Sequence, residues 1–410
     1  MANTFKFTNW VAKEALRLLV NKLEVASVFN TDWNKEYKRD FPIGVSFQIK
    51  IPQRFTVRTG LAYTPQAIDR RTTTVTISQI KGIDFEWDDF EKALEMEKSE
   101  AEIRAQYLEP ASAYLKQTID SDAALFAYQN TPNIVGVLGT DATNITIAQQ
   151  ARQRLVELAC PPDGERIFVI PPSVMTSIVP SVQSFFNPAS EISKAYKEGS
   201  MGKANGWEWM ESMSLQRHTA GTWAGAVTVN GANQTGSVLN VNCTTGDTFN
   251  VGDVFNMANV NQVNPMTRTL LTKQLKQFVI TQAVTGVAST AALQIYPAID
   301  GPGSQYQNVD ALAIDTAALT LFPGTATPSG LAGAQGLAIH RDAFALVGTK
   351  LELPKAVEVV SQATDPKTGI TVRFVRAWDP RTSTMINRWD MVYGFGVLYA
   401  ENCAVRVLGA

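Results

Sequence analysis

Residues 222–335 carry very few charged side chains, and this restricts what they can fold into. They hold eight charged residues in 114 positions, whereas the other 296 positions hold 66. Val, Thr, Asn and Gly fill short runs in which apolar and polar residues alternate, such as "GAVTVNG" and "GSVLNVN". A period of two is typical of strands with one buried face. The pattern predicts a small all-β domain, either a barrel or a sandwich, inserted into a parent domain of different composition.

The first part of the chain predicts an amphipathic helix. In "TNWVAKEALRLLVNKLEVASVF" the apolar residues recur at helical spacing after a Thr8/Asn9 cap. The charges of this segment are mixed rather than basic, so the pattern favours packing against protein over a membrane surface.

A hairpin is predicted next. "VSFQIKI", "TVTISQI" and "GIDFEW" alternate apolar and polar residues, which indicates half-buried strands. The polar stretch between them predicts a charged tip with Arg58, Asp69, Arg70 and Arg71. An isolated two-stranded ribbon is marginal in water. We therefore expect another surface, such as a sister copy of the chain, to cover the apolar sides of this hairpin and of the first helix.

The rest of the chain mixes helices and strands. Residues 88–129 predict a long helix that Pro110 kinks or splits. Further helices are predicted at 146–159 and after Pro171, with a buried strand at 166–170, and the chain closes in a meander of strands. The fold class is therefore α+β.

Catalytic and metal-binding motifs give little support to an enzyme. His340-Arg341-Asp342 matches the start of a kinase catalytic loop, but the position of its metal-binding Asn is Val347. "DAFALV" predicts a short helix capped by Asp342 instead. The two histidines and three cysteines are widely spaced and form no metal-binding motif, and Cys160 has no His near it in sequence. We predict no catalytic residue, cofactor or metal ligand.

Charge and hydropathy exclude further classes. The net charge of −2 gives no reason to expect tight nucleic-acid binding, which needs many Lys and Arg contacts to phosphates. The longest apolar runs fall short of the ~20 residues that span a bilayer, and the first residues do not have the pattern of an export signal.

Three segments carry a resemblance to a known family: "GLAIHRDAFALVGTKLELP", "VVSQATDPKTGITVRFVRAWD" and "MVYGFGVLYAENCAVRVLG". With the order of elements along the chain, they resemble the major capsid proteins of tailed double-stranded-DNA bacteriophages, of the podovirus coat-protein type with an inserted β domain. The resemblance implies an HK97-like capsid fold.

The implied parts follow the order of the chain. They are an N-terminal arm at 1–42, an extended loop hairpin at 43–87, a spine helix with the peripheral domain at 88–129, an axial domain at 130–221 and 336–385, the inserted β domain at 222–335, and C-terminal strands at 386–410.

The resemblance also implies a function. Pentamers and hexamers of the chain would form an icosahedral shell, assembled in the host cytoplasm, that encloses double-stranded DNA without gripping it tightly. The implied partners are sister copies, a separate scaffolding protein and a portal protein, and no membrane. Candidate contacts between subunits are Arg58, Asp69, Arg70, Arg71, Phe47, Ile49, Trp10 and Leu18. The alternative is a ligand- or carbohydrate-binding protein, or an enzyme, with an accessory β-sandwich.

We predict that the chain is not cleaved during maturation. Some members of the wider capsid family begin with a long scaffolding segment that is later removed, whereas here the hairpin starts near residue 43. The coat chain of mature particles should therefore keep its full mass of 44.8 kDa, measured by intact mass spectrometry. A shortened chain in mature particles would contradict this expectation.

Overall fold

A computed structural model gives the fold of the chain. It describes residues 12–19, 23–32, 46–58, 60–61, 63, 65–68, 71–88, 109–138, 142–182, 202–270, 274–322, 330–354, 359–365, 368–381 and 384–408. The chain divides into two compact units. The first takes its described residues from 1–49, 72–123 and 344–397, and the second from 50–71, 124–343 and 398–410.

Helices are few and strands are many in the described residues. Residues 12–19 are helical, and the further helices are Val25–Val28, Glu109–Gln129, Thr146–Glu157, Pro172–Val182 and Ala400–Cys403, with a 3-10 turn at Arg341–Ala343. The strands are β1 Ser46–Lys50, β2 Thr72–Asp88, β3 Asn133–Val135, β4 Arg166–Ile170, β5 Lys203–Ala204, β6 Trp207–Glu211, β7 Arg217–Thr219, β8 Thr228–Val229, β9 Gly236–Asn242, β10 Thr248–Phe249, β11 Val254–Asn261, β12 Leu275–Ile280, β13 Val284–Thr285, β14 Thr290–Ile299, β15 Leu319–Leu321, β16 Ala332–Ala334, β17 Gly336–His340, β18 Phe344–Gly348, β19 Val359–Thr364, β20 Thr371–Asp379, β21 Thr384–Val397 and β22 Ala404–Val407.

The first unit is built on one sheet in the order β1-β2-β21-β20-β19, and β18 also pairs with β21. Strand β21 is antiparallel to β2 from Thr76↔Phe395 to Asp88↔Thr384. Two glycines of "YGFGV" make this pairing possible. A Cβ at Gly394 would lie 2.3 Å from the Thr76 carbonyl oxygen, and one at Gly396 would lie 2.2 Å from Val75 Cγ2. These distances are too short for any other residue, so the two strands require glycine there.

The long helix Glu109–Gln129 holds the start of the helix Val25–Val28 through Asp120. This carboxylate is fully buried and accepts hydrogen bonds from the backbone N–H groups of Glu24 and Ala26, the latter at 2.9 Å. It therefore satisfies N–H groups at the start of the helix Val25–Val28, as a cap supplied from another part of the chain. Lys116 adds an ion pair with Glu24 at 2.5 Å.

The second unit contains a mixed sheet in the order β3-β22-β17-β4-β6-β5. Strand β17 is antiparallel to β22 on one side and to β4 on the other. The helix Thr146–Glu157 buries Ile147, Ala148, Ala151 and Leu155. The indole N–H of Trp207 donates to the carbonyl of Ala148 at 3.1 Å, which ties this helix to β6.

The charge-poor segment of the second unit forms an antiparallel sheet in the order β15-β11-β12-β14-β9-β8. Its two outer strands also meet, because Val229 N donates to Ala317 O and Leu319 N donates to Val227 O, both at 2.9 Å. The sheet therefore closes into a barrel. Closure pairs the outer strands with each other, and the interior is filled by buried side chains such as Leu239, Phe255 and Phe278.

Two sequence predictions need correction. "DAFALV" is not a capped helix: a single 3-10 turn is followed by strand β18, whose residues Phe344, Ala345, Leu346 and Val347 are all buried. An apolar run without alternation suits a strand buried on both faces as well as a helix, and pairing with β21 decides for the strand. The helix also does not begin at residue 88, because β2 continues to Asp88. The described helix starts at Glu109, so the predicted kink near Pro110 lies at the margin of the described residues.

Several apolar residues that seemed to need sister copies are covered within the chain, although Ile80 on β2 is 51% exposed. Leu18 and Ile49 are 7% and 1% exposed, and Val75 and Ile77 are fully buried as well. The expectation that another copy must cover the first helix and the hairpin strands is therefore wrong for these residues. Sequence patterns show that a face is buried, but they do not show which segment buries it.

We predict that Asp120 makes the stability of the protein depend on pH. Burial, partly offset by the two backbone hydrogen bonds, raises the pKa of Asp120 to about 6. Because this pKa lies above that of an unfolded Asp, the folded state binds the proton more tightly, and the contribution of Asp120 to stability is lost as the pH rises through 6. Between pH 7 and pH 5 the wild type should gain about 1 kcal/mol relative to Asp120→Asn, measured by urea unfolding. A difference that does not change with pH would contradict the assignment.

Candidate assembly surface

The loop between β1 and β2 folds back on itself, and hydrogen bonds hold its two sides close together. Ile51 N donates to Arg71 O at 3.0 Å where the loop begins and ends. Farther out, Thr56 N donates to Gln66 Oε1 at 2.8 Å, and Gln66 Nε2 donates to Thr56 O at 2.5 Å. The side-chain amide of Gln66 thus makes the two hydrogen bonds that the backbone of a paired residue would make in a β-ladder. The described part of this loop contains no strand, so side chains rather than a ladder keep its two sides together.

The outer part of this loop presents apolar side chains to solvent. Val57 is 97% exposed and Leu61 is 98% exposed. Phe55, Tyr63 and Ile68 are exposed as well. Single exposed apolar residues are ordinary, but several on one short segment mark a surface that contacts another molecule. We call Phe55, Val57, Leu61, Tyr63 and Ile68 the apolar tip.

The base of the loop is fixed to the barrel. Both terminal nitrogens of Arg71 lie 3.3 Å from Asp300 Oδ2, and the guanidinium lies 3.6 Å from the centre of the Tyr306 ring. Gln305 Nε2 also donates to the Arg54 carbonyl. An exposed ion pair contributes little by itself, but stacking on an aromatic ring and a second contact hold the base in one position.

A cavity of about 280 Å³ adjoins this base and is lined in part by Arg54, Arg71 and Glu401. Behind it, the fully buried Lys276 Nζ lies 2.8 Å from Glu401 Oε1. Burial alone raises the pKa of Glu401, but the Lys276 ammonium group lowers it below its ordinary value. Glu401 is therefore held as a carboxylate, and the geometry is that of a structural ion pair.

The predicted contact residues fall into three groups. Trp10, Asp69, Arg70 and the side chain of Phe47 lie outside the described residues. Leu18 and Ile49 are buried in their own chain, so they are not available to another copy. Arg58 is exposed and donates to the Gly60 carbonyl, whereas Arg71 belongs to the anchor described above, and its contact with another subunit stays a prediction.

The apolar tip was not predicted from sequence, because the Arg and Asp residues of this stretch indicate a charged tip. The signal was present in "RFTVRTGLAY", where large apolar residues stand between polar ones in a segment rich in turn formers. In a strand with one buried face, every second side chain of such a segment would be buried. The described part of this loop is not a strand, so both charged and apolar side chains reach solvent.

One group of described residues could hold a metal ion: Cys160, His340 and Cys403, all buried. These positions are widely spaced in sequence and form no motif, and no histidine is near Cys160 in sequence. In the structure His340 and Cys403 both lie beside Cys160. Sequence distance was a poor guide because three strands of one sheet bring the residues together.

Comparison with known proteins gives the class of this chain: it is a bacteriophage coat protein. The family model described as "P22 coat protein - gene protein 5" matches residues 88–409. Because this match covers most of the chain, the protein belongs to the P22 coat protein family. No curated protein sequence matches the chain.

Several solved phage structures are similar to the chain over most of its length. One described as Mycobacterium phage Che8 is 14% identical, with a TM-score of 0.45, over 94% of this chain and 91% of that one. The capsid of cyanophage P-SCSP1u is 12% identical, with a TM-score of 0.41, over 91% and 85%. The capsid of Ralstonia phage GP4 is 10% identical, with a TM-score of 0.42, over 94% and 88%.

Family membership confirms the main predictions from sequence. The chain is a structural major capsid protein that forms the shell of the virion, and its α+β fold is of the HK97-like class. The alternative of a carbohydrate-binding protein or enzyme is not supported. Within the described residues, no helix is both long enough and apolar enough to cross a membrane.

We predict that Arg71 restrains the loop. Arg71→Ala removes the ion pair with Asp300 and the stacking on Tyr306, so the base of the loop should open more often. Chymotrypsin should then cleave after Phe55, Leu61 or Tyr63 several-fold faster than in the wild type, measured by mass spectrometry of early fragments. Arg58→Ala, which leaves the anchor intact, is the matched control. Equal cleavage rates in Arg71→Ala and the control would exclude this role.

Proposed function

We propose that this coat protein assembles as pentamers and hexamers into a closed icosahedral shell around double-stranded DNA, and that the apolar tip binds a neighbouring copy in that shell. The observation that carries the proposal is the exposure of five large apolar side chains on a loop whose base is fixed. Burial of each such side chain is worth ~1.5–3 kcal/mol, so a contact that covers the tip has a substantial driving force.

The partner of the tip is a second copy of the chain rather than a different protein. A coat protein meets copies of itself on every side of the shell, and an obligate contact between copies is more apolar than an ordinary surface. The candidate ion pairs of Arg58, Asp69 and Arg70 between subunits stay a prediction. Arg58 lies within the apolar tip in sequence and Asp69 and Arg70 follow it, so they could form part of a polar rim.

The remaining partners follow from the resemblance and the charge. A scaffolding protein and a portal protein, both separate chains, are proposed to act during assembly in the host cytoplasm. The net charge of −2 is consistent with a container that encloses DNA without binding it tightly. The role is proposed to be structural, without catalysis.

We predict that the tip is needed for assembly and not for folding. The double variant Val57→Ser/Leu61→Ser changes two side chains that contact mainly solvent, so the free energy of unfolding should change by less than about 0.5 kcal/mol. The yield of closed particles should fall at least tenfold, measured by sucrose gradients and electron microscopy after expression with the other head proteins of the phage.

Val287→Ser is the matched control, because Val287 is 69% exposed but lies in a turn of the barrel segment. It makes the same chemical change away from the tip and should leave the particle yield unchanged. A normal yield from the tip variant, or equal losses in both variants, would overturn the proposed contact.

A further inference from the structure

Three metal-ligating side chains meet at one end of neighbouring strands in the mixed sheet of the second unit. His340 is the last residue of β17, Cys403 immediately precedes β22, and Cys160 lies in the segment that leads to β4. Because β17 is antiparallel to both neighbours, its end lies beside their beginnings: Ile339 pairs with Ala404, and His340 pairs with Arg166. The sheet itself thus holds the three side chains together.

The donor atoms are close enough to surround one ion. The two sulfur atoms and a ring nitrogen of His340 all lie within 4.8 Å of one another. In a tetrahedral zinc site, two sulfurs at about 2.3 Å from the metal lie about 3.8 Å apart. Adjustments of about 1 Å or less, within reach of side-chain rotations, therefore complete the geometry. All three residues are buried, as in structural zinc sites, which are closed to solvent.

The hydrogen bonds of His340 orient its ring as a metal ligand. Nε2 lies 2.8 Å from Asp163 Oδ1 and 3.0 Å from Oδ2, so it carries the proton and donates it to the carboxylate. The backbone N–H of Asp342 points to Nδ1 at 3.2 Å, which is consistent with a lone pair on that atom. A carboxylate on the far nitrogen is the usual support of a histidine that binds metal. To bind the ion, Nδ1 gives up only its long hydrogen bond with the backbone N–H of Asp342.

The two cysteines bind a metal through their sulfur atoms. The thiolate is the form of cysteine that binds metals, so the ion replaces a proton on each thiol.

We propose that Cys160, Cys403 and Nδ1 of His340 bind a Zn²⁺ ion that joins β17 to the segments before β4 and β22. Two thiolates and an imidazole form a donor set that suits zinc and does not suit Mg²⁺ or Ca²⁺. The Asp342 carboxylate is partly exposed and lies outside this cluster of three donors, although its Oδ2 is 3.8 Å from Nδ1. Asp163 acts as a positioning residue through the ring of His340.

Cobalt substitution tests the site on the purified chain, without any need for shells. The protein is purified with a non-chelating reductant, treated with EDTA and titrated with Co²⁺. We expect a sulfur-to-cobalt charge-transfer band in the near ultraviolet and strong visible bands of tetrahedral cobalt, saturating at one ion per chain and abolished by Zn²⁺. Cys160→Ser and Cys403→Ser should each lose most of the charge-transfer intensity.

Cys243→Ser is the matched control, because Cys243 is also a buried free thiol but lies in the barrel segment. It should leave the cobalt spectrum unchanged. Asp163→Asn should weaken Zn²⁺ binding about 10–100-fold, as loss of an outer carboxylate does in other zinc sites. Circular dichroism checks that each variant is folded.

A measurement on the wild type alone guards against variants that fail to fold. X-ray absorption at the zinc edge should show two sulfur ligands at about 2.3 Å. The absence of a charge-transfer band in the reduced wild type, or a band that survives both Cys160→Ser and Cys403→Ser, would overturn the proposal. A pair of cysteines that forms a disulfide but binds neither Co²⁺ nor Zn²⁺ after reduction would overturn it as well. None of these outcomes bears on the proposed contact of the apolar tip.

Discussion

The pairing of β2 with β21 is the constraint on which the first unit depends. It joins residues 72–88 to residues 384–397, and β21 in turn pairs with β20 and β18. A Cβ at Gly394 or Gly396 would enter β2, so the two glycines allow the strands to approach. Contacts between such distant positions require closure of a very long loop before they stabilise anything. We therefore expect this sheet to form later in folding than the local helices.

Local patterns predicted many elements because these depend on nearby residues. The helix Thr146–Glu157 and strand β4 have periodicities that their own residues establish, and the alternating runs between 222 and 335 predicted a β domain. The closure of that domain into a barrel depends on hydrogen bonds between residues near 228 and 318, which no local pattern contains. Strand β18 was mistaken for a helix because four buried residues in succession satisfy either structure until the partner strand is known.

The same limit explains why the cluster of Cys160, His340 and Cys403 was not predicted from the sequence. Metal motifs are recognised by spacing when ligands share a turn or a hairpin. Here Cys160, His340 and Cys403 come from three separate strand ends, and only the antiparallel order β22-β17-β4 places them together. His340 also shows how one motif can mislead. The sequence at His340 is similar to the start of a kinase catalytic loop, but it lacks the metal-binding Asn of that loop. The hydrogen bond from His340 to Asp163 instead orients the ring for the metal binding proposed above.

The apolar tip and its anchor would both favour the proposed contact between copies, in different ways. Exposed Val57 and Leu61 stabilise neither the fold nor the isolated chain, and their burial is favourable only when another surface meets them. A loop that moved freely would lose much of this gain, because ordering each residue costs about 1–2 kcal/mol of conformational entropy. The contacts of Arg71 with Asp300 and Tyr306, and the amide of Gln66 across the loop, order these residues before any contact is made. Part of the entropic cost of the proposed contact is therefore already met when the chain folds.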